Sequence, residues 1–504
     1  MAQTDVLIVG AGPTGVVLAL WLTSLGVKVR IVDKTDAPGT TSRALAIQAR
    51  TLELYRQLDL TDEVLDQGHK VPGVNLWVKG KRQTRVSFAD FAGDITPYGP
   101  FIFPQDQHER LLIERLEKMG LAVERTTELV SYRQDRDGVV AELRDLSGQL
   151  ETVATRYLAG CDGARSTVRQ AMGTGFPGGT YQHIFYVADV EASGPAMDGE
   201  LHVDLDEADF LAVFPMKGQG KARLVGTVRD EREHGDQLKF ADVSDRAIRN
   251  MKLAVAKVNW FSTYHVHHRV TDHFRDRRVF LLGDAAHIHS PAGGQGMNTG
   301  VGDAINLAWK LSAVIAGKAA DRLLETYEVE RMPFARKLVA TTDRAFILAT
   351  AEGRIADFVR TRLVPAVLPT LFKFAAARKF MFRAISQATI EYRDSPLSRG
   401  AAGSVKGGDR LPWAPVPGAD NFDSLREPRW QIHIYGTARE DVLAWCDSHD
   451  IPLHQYAWHD KHAAAGFAKD ALYLIRPDAY VALADPQQAS ASLDHYLAEQ
   501  QISV

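Results

Sequence analysis

Residues 5–33 read DVLIVGAGPTGVVLALWLTSLGVKVRIVD, and their pattern decides the fold. The β-branched run DVLIV predicts a short strand, the apolar stretch 16–25 closed by Gly26 predicts a helix, and VKVRIVD predicts a second strand ending at Asp33. That is one βαβ unit. Its turn is Gly10-Ala11-Gly12-Pro13-Thr14-Gly15. The first glycine permits the tight turn, the second lets backbone approach a pyrophosphate, the third lets helix pack on strand, and the helix N-terminus attracts phosphate charge. Asp33 stands 23 residues after Gly10, where a carboxylate grips ribose hydroxyls and repels a 2′-phosphate. Strand, helix and distal acid together predict a bound FAD or NAD, and not NADP.

Two further stretches extend this reading. VFLLGDAAH over 279–287 is a buried-type strand that delivers Asp284 to its carboxyl end, the side on which such sheets bind ligands. It runs on through Pro291 to Gly293-Gly294-Gln295-Gly296-Met297-Asn298 and a helix beginning near Asn298, whose start offers N–H groups to an electron-rich oxygen. Thr299 occupies the third glycine position of what would otherwise be a second GxGxxG, and no strand precedes it, so no second stable nicotinamide site is expected. The third stretch is CDGARSTVR over 161–169, where a plain Asp-Gly turn and a functional Asp162 both account for the letters.

Composition bounds the rest. The 504 residues, 45% hydrophobic and 24% charged, predict two to four soluble domains. The 59 Lys+Arg against 63 Asp+Glu give −4, no footprint for nucleic acid or an anionic membrane, so neither is an expected partner. Two cysteines, Cys161 and Cys446, are too few for a disulfide framework and suit a cytoplasmic protein. The N-terminus lacks the basic region and cleavage site of a signal peptide. The apolar stretch 362–385, RLVPAVLPTLFKFAAARKFMFRAI, carries too many prolines and cations to span a bilayer. It reads as an amphipathic region packed on the protein, with a helix lying on a membrane surface as the other reading.

Along the chain, helices are expected at 51–65, at 108–119 and from 299 to about 397, and a hairpin at 139–143 with 151–158. Short alternating strands over 185–228 predict an antiparallel sheet, and the Pro/Gly cluster 399–418 predicts a linker to a small α/β domain. The division expected is an FAD-binding domain from 1–70, 104–175 and 276–335; a substrate-binding sheet domain from 71–103 and 176–275; a helical region, 336–405; and a C-terminal domain, 410–504. The fold class is α/β, with a Rossmann-like first domain and an antiparallel-sheet substrate domain.

With these three motifs in order, the chain resembles the single-component FAD-dependent aromatic hydroxylases, of the para-hydroxybenzoate hydroxylase-like fold. Arg43 in SRALAIQARTLEL and Gln105 in FPQDQHERLL also match. The C-terminal segment, with RPDAYVA at 476–482, resembles the thioredoxin-like domain of the phenol and polyketide branch, although Ala479 and Leu483-Ala484 depart from its pattern and no CxxC pair exists, which argues for a scaffold and leaves Cys446 without a redox role. The resemblance implies that Gly10, Gly12, Pro13, Thr14 and Gly15 cradle FAD, with Asp33 and Lys34 at the adenosine ribose and Val130 near the adenine. It implies Arg43 and Gln105 at the pyrophosphate and ribityl region, Asp162 in the Asp-Gly segment, and Asp284 on the ribityl chain. Pro291, Gly294, Gln295, Gly296, Met297 and Asn298 would line the flavin ring.

By the same resemblance the chain would be an FAD-dependent monooxygenase that consumes NAD(P)H as a transient co-substrate. It would hydroxylate a phenolic or other electron-rich aromatic ring through a flavin C4a-hydroperoxide, with O₂ as the oxygen source. The chain would act as a monomer or homodimer. A phenol with a reference pKa near 10 needs a base or a positive field to ionise, and His183, His202 and Tyr181 are the candidates; none can be singled out. His265, His267 and His268 lack a third ligand, so no metal is expected. No FxGxxxHxxxW or WxWxIP string supports Baeyer–Villiger or halogenase chemistry. The competing reading is a noncatalytic FAD-binding redox sensor or interaction protein.

Overall fold

The computed structural model describes residues 4–503 apart from 40–43, 89–92, 206–209, 229–237, 244–245, 291–293, 351–358, 364–366, 368–369 and 372; of 182–183, 205, 343–350, 360–361 and 375 it describes the backbone only. Strand β1 (Thr4–Val9) pairs in parallel with β2 (Val29–Val32) on one side and with β3 (Leu150–Gly160) on the other, and β3 pairs in parallel with β4 (Val279–Leu281). β1 and β4 are buried along almost their whole length, as are the last residues of β3, the pattern of parallel strands covered on both faces. Helix α1 (Pro13–Ser24) is apolar all round, with Gly15 to Leu22 buried, and packs against helix α2 (Gly296–Ile315).

The order β4-β3-β1-β2 aligns four carboxyl ends on one edge. Gly10 leaves β1, Asp33 leaves β2, Cys161-Asp162 leave β3, and Gly283-Asp284 follow β4 after one residue. Motifs scattered over 280 positions of sequence thus converge on the crevice where open α/β sheets bind ligands. Strands Val139–Arg144 and Glu128–Gln134 extend the sheet antiparallel from the first half of β3.

A second sheet of eight strands runs His287–Ile288, Ala254–Val270, Gly178–Ser193, Lys221–Val228, Phe210–Pro215, Leu201–Leu205, Gly73–Val78, Lys81–Ser87. It is antiparallel except where Leu201–Leu205 meets Gly73–Val78. Its edge strand His287–Ile288 begins three residues after Asp284, so this sheet is fastened directly to the β4 motif.

Several expectations are corrected in detail. The helix expected over 51–65 is broken into Ala49–Tyr55, a 3-10 turn Arg56–Leu58 and Thr61–Gln67, with Asp59 in the left-handed region at φ 53. The long helix starts at Gly296 and stops at Ile315, before Gly317; helices α3 (Glu325–Thr350) and α4 (Ala375–Ile385) follow. The 399–418 stretch is no free linker. Arg399–Ala402 pairs in parallel with Val481–Asp485, and Leu411 is fully buried, so the segment is an integral part of a six-stranded C-terminal sheet. Gly400, Gly403, Gly407 and Gly408 serve close backbone approaches, which composition alone cannot distinguish from flexibility.

The C-terminal sheet packs on the rest through apolar and charged contacts together. Trp309 of α2 meets Trp430 edge-on at 5.7 Å between ring centroids. Arg476 reaches both carboxylate oxygens of Glu330 on α3 at 2.7 and 2.9 Å, and Lys310 reaches the same carboxylate at 2.8 Å.

Candidate active site

The turn after β1 is built by sterics. A Cβ on Gly15 would lie 1.9 Å from the Gly10 carbonyl oxygen, so this position is closed to every larger residue. A Cβ on Gly12 would meet nothing within 4 Å. Gly12 faces open space at the start of α1, whose first turn has no side-chain cap, so its N–H groups are available to an outside acceptor. Asp33 sits beside the turn. One oxygen of its carboxylate accepts from Ala11 N–H at 2.6 Å, the other from Thr35 N–H and hydroxyl at 2.8 and 2.7 Å.

Asp284 is exposed on the 3-10 turn Gly283–Ala285. That turn is held from beneath by Asp303 of α2. One Asp303 oxygen accepts from Gly283 N–H at 3.1 Å and pairs with His287 Nε2 at 2.7 Å; the other accepts from Arg331 Nε at 2.7 Å. Burial opposes the charge on Asp303, but Arg331 and His287 hold its carboxyl below the usual range.

The N-terminus of α2 is the second uncapped helix start at the site. Asn298, buried, ties it down: its Nδ2 donates to Ala46 and Gly294 carbonyls at 2.9 and 3.0 Å, and its Oδ1 accepts from Gln48 N–H and the Thr51 hydroxyl, both at 2.8 Å. All the side chain's capacity is spent on protein, so Asn298 positions the helix start and leaves the first-turn N–H groups to face outward.

One cavity of about 460 Å³ joins these parts. Among the expected residues, Gly12, Pro13, Thr14, Gln105, Asp284, Gly294, Gln295, Gly296 and Met297 line it. Its far wall comes from the second sheet: Phe214, Val225, Tyr264 and Val266, with His265 and His267. Gly10, Gly15, Asp33 and Asn298 form its scaffold behind the lining. Lys34 and Val130 are exposed and lie outside it, and Asp162 is occupied by its own turn, accepting from the Ser166 hydroxyl and Val168 N–H at 2.5 and 3.1 Å. Arg43 and Pro291 fall outside the described residues, as does the side chain of His183.

Of the candidate bases, His202 does not reach the cavity. It is fully buried, with Nδ1 accepting from Trp77 Nε1 at 2.8 Å and Nε2 paired with Asp198 at 2.7 Å. Tyr181 packs on His268 at 4.8 Å between centroids and belongs to the same hydrophobic cluster as the wall residues Phe214 and Tyr264, without itself lining the cavity. Glu109 and His289, which sequence reasoning did not place among the site residues, are both in the lining. Burial raises the Glu109 carboxyl, even though Gln105 Nε2 donates to it at 2.7 Å. Burial pushes His289 down to about 4, so it is neutral at working pH, with Nδ1 donating to the Ser290 carbonyl at 2.7 Å. Glu109 was legible as the i+4 partner of Gln105 on one helix face; His289 had no signal beyond its place between Asp284 and Gly294. Among the described residues, no group of three or more His, Cys, Asp or Glu could hold a metal ion.

Two uncapped helix starts that donate N–H groups, a glycine open to the cavity and a carboxylate that accepts from hydroxyls form the set that a dinucleotide needs for its phosphates and sugar. The FAD binding domain family matches residues 3–342. The chain belongs to the FAD-dependent aromatic monooxygenase family. It is 32% identical to 6-methylpretetramide 4-monooxygenase of Streptomyces rimosus, over 97% of this chain and 92% of that one, and 33% identical to rifampicin monooxygenase of Rhodococcus hoagii, over 97% and 96%. Among solved structures, an anhydrotetracycline hydroxylase from Streptomyces rimosus superposes with a TM-score of 0.78 at 28% identity, covering 99% of both chains. FAD is the family's cofactor. Among the described residues no helix is long and apolar enough to cross a membrane.

Proposed function

We propose that this chain hydroxylates a phenolic or similarly electron-rich aromatic ring, working with NAD(P)H and O₂ in the cytoplasm. The observation that carries the reading is a cavity lined both by the nucleotide cradle, Gly12 to Thr14 with Asp284, and by the aromatic wall, Phe214 and Tyr264. From the relatives, named for 6-methylpretetramide, rifampicin and anhydrotetracycline, we take the reaction class and leave the individual substrate open.

The site residues divide the work. The α1 start, with Gly10, Gly12, Pro13, Thr14 and Gly15, receives the pyrophosphate. Asp33 and Lys34 hold the adenosine side with Val130 near the adenine; Arg43, Gln105 and Asp284 hold the pyrophosphate and ribityl chain. Pro291 and Gly294 to Asn298 frame the ring. Bound FAD, reduced by NAD(P)H, supplies O₂ activation and delivery of one oxygen atom, the other leaving as water. The N–H groups of the α2 first turn stabilise negative charge on a ring oxygen. The wall of Phe214, Val225, Tyr264 and Val266 excludes water, which would otherwise release peroxide. Neutral His289 leaves the helix start as the source of positive potential there.

For the C-terminal domain we propose a thioredoxin-like scaffold. The parallel pair Gln431–Tyr435 and Leu453–Tyr456, the helix Glu440–His449 between them, and the antiparallel Leu472–Ile475 and Val481–Asp485 followed by helix Ser490–Gln500 support it. Burial raises the Cys446 thiol to about 11, which suits a scaffold and not a thiol relay.

The test compares a phenol with its methyl ether on the FAD-loaded protein. The phenol should stimulate NAD(P)H consumption and be hydroxylated, while the ether, a poorer electron source at the attacked carbon, should send most reducing equivalents to hydrogen peroxide. Equal, tightly coupled hydroxylation of both would contradict hydroxyl-assisted attack. NAD(P)H consumption indifferent to every phenol would restore the sensor reading.

A further inference from the structure

The net charge of −4 conceals one strongly basic stretch. Between residues 359 and 390 there are six Lys or Arg and no Asp or Glu, interleaved with four phenylalanines. In this stretch the structure leaves apolar side chains in solvent: Leu363 is 48% exposed, Val367 49%, Leu371 46%, Phe374 63% and Phe380 72%. Arg362, Lys373 and Arg383 are exposed among them.

Within helix α4 the exposure is one-sided. Its Phe382 is buried and meets Phe88 at 6.3 Å between centroids, anchoring the helix to the molecule, and Lys379 is tied to Asp94 at 2.6 Å. Phe380 and Arg383 project from the other side. Soluble chains seldom leave clustered Leu and Phe uncovered unless something covers them in use.

The geometry points to an anionic lipid surface as that cover: we propose that Leu363, Val367, Leu371, Phe374 and Phe380 enter the outer layer of a membrane while Arg362, Lys373 and Arg383 meet its negative headgroups. Phenylalanine and leucine beside Lys and Arg, without acids, is the composition that lies in a bilayer interface. A second copy of the chain fits worse, because it would set one basic stretch against another. A nucleic acid would neutralise the cations but give the apolar side chains no apolar phase. Whole-chain charge, the ground on which an anionic membrane is not expected, averages this patch away. The proposal stands independently of the hydroxylation reading.

The test floats the FAD-loaded protein with vesicles of phosphatidylcholine alone or mixed with anionic phosphatidylglycerol. Wild type should float with the anionic vesicles, at least tenfold less with the neutral ones, and be released by salt. Lys373→Gln and Arg383→Gln should each weaken binding roughly fivefold, and Phe374→Ser with Phe380→Ser should abolish it. Each variant should keep its FAD absorbance, which separates lost docking from lost folding and from any failure of the hydroxylation reading. Flotation that ignores vesicle charge, flotation undiminished in the double phenylalanine variant, absence of flotation with either vesicle, or lipid-free self-association removed by that variant would each overturn the proposal.

Discussion

Gly12 and Gly15 lie three residues apart in one turn and are glycines for opposite reasons. Gly15 is packed against the Gly10 carbonyl, so a methyl group there has no room in the protein itself. Gly12 opens on the cavity, so a methyl group there has room until a ligand arrives. Gly15→Ala should therefore destabilise the protein, by about 1–3 kcal/mol, seen in denaturant midpoint. Gly12→Ala should leave the FAD-free fold at wild-type stability and weaken FAD retention at least tenfold. Equal FAD retention in Gly12→Ala and wild type would show that the pyrophosphate does not approach this backbone. At this scale the sequence was highly legible for the glycines, because GxGxxG encodes local sterics. It was poorly legible for His202, whose partner Trp77 lies 125 residues away and turns a candidate base into a satisfied core histidine.

Helix α2 shows what an element's pattern conceals. The Gly-rich approach located its start to within two residues, though not its end, and the four bonds of Asn298 were not readable, since three of them end on residues 46, 48 and 51, some 250 positions away. Asn298→Ala removes them and strands buried donors and acceptors. It should cost about 3 kcal/mol and hasten FAD release, measured together by thermal melting with flavin fluorescence; a loss of stability with unchanged FAD release would confine Asn298 to packing. The 399–418 stretch is the reverse case. Its glycines and prolines matched a linker, while the pairing of Arg399–Ala402 with Val481–Asp485 depends on a strand 80 residues downstream. Local composition carries no trace of such a partner.

Over the whole molecule, stability at low pH depends on histidines held neutral by burial. Burial pushes His108 to about 3 and His289 to about 4, against about 6.5 in an unfolded chain. A base with a depressed folded value binds its proton first in the unfolded state. Stability is therefore full above about pH 6.5 and is lost as pH falls from there toward 4 and 3, by up to about 1.4 kcal/mol per pH unit for each histidine. Denaturant midpoints measured from pH 7.5 to 4.5 should fall accordingly, and His289→Gln should fall less steeply than wild type. A midpoint flat over this range would contradict the burial of both rings. The same scale explains the RPDAYVA stretch. Arg476 and Asp478 are bound into a buried polar cluster of Glu330, Lys310 and the neutral amide of Asn306, so the stretch fastens the C-terminal sheet to the FAD-binding part. The family resemblance marked those letters without showing what they touch.

One cavity joins the proposed FAD cradle to an aromatic wall, the arrangement that oxygen transfer to a ring needs. That transfer is tested most directly by letting the FAD-loaded protein turn over NAD(P)H with phenols and polycyclic aromatics under isotopically labelled dioxygen, and weighing the products. The expected result is an aromatic product heavier by a single labelled oxygen atom, formed in proportion to the NAD(P)H consumed. Aromatics recovered unchanged across the panel, with NAD(P)H consumption no faster than without them, would contradict it.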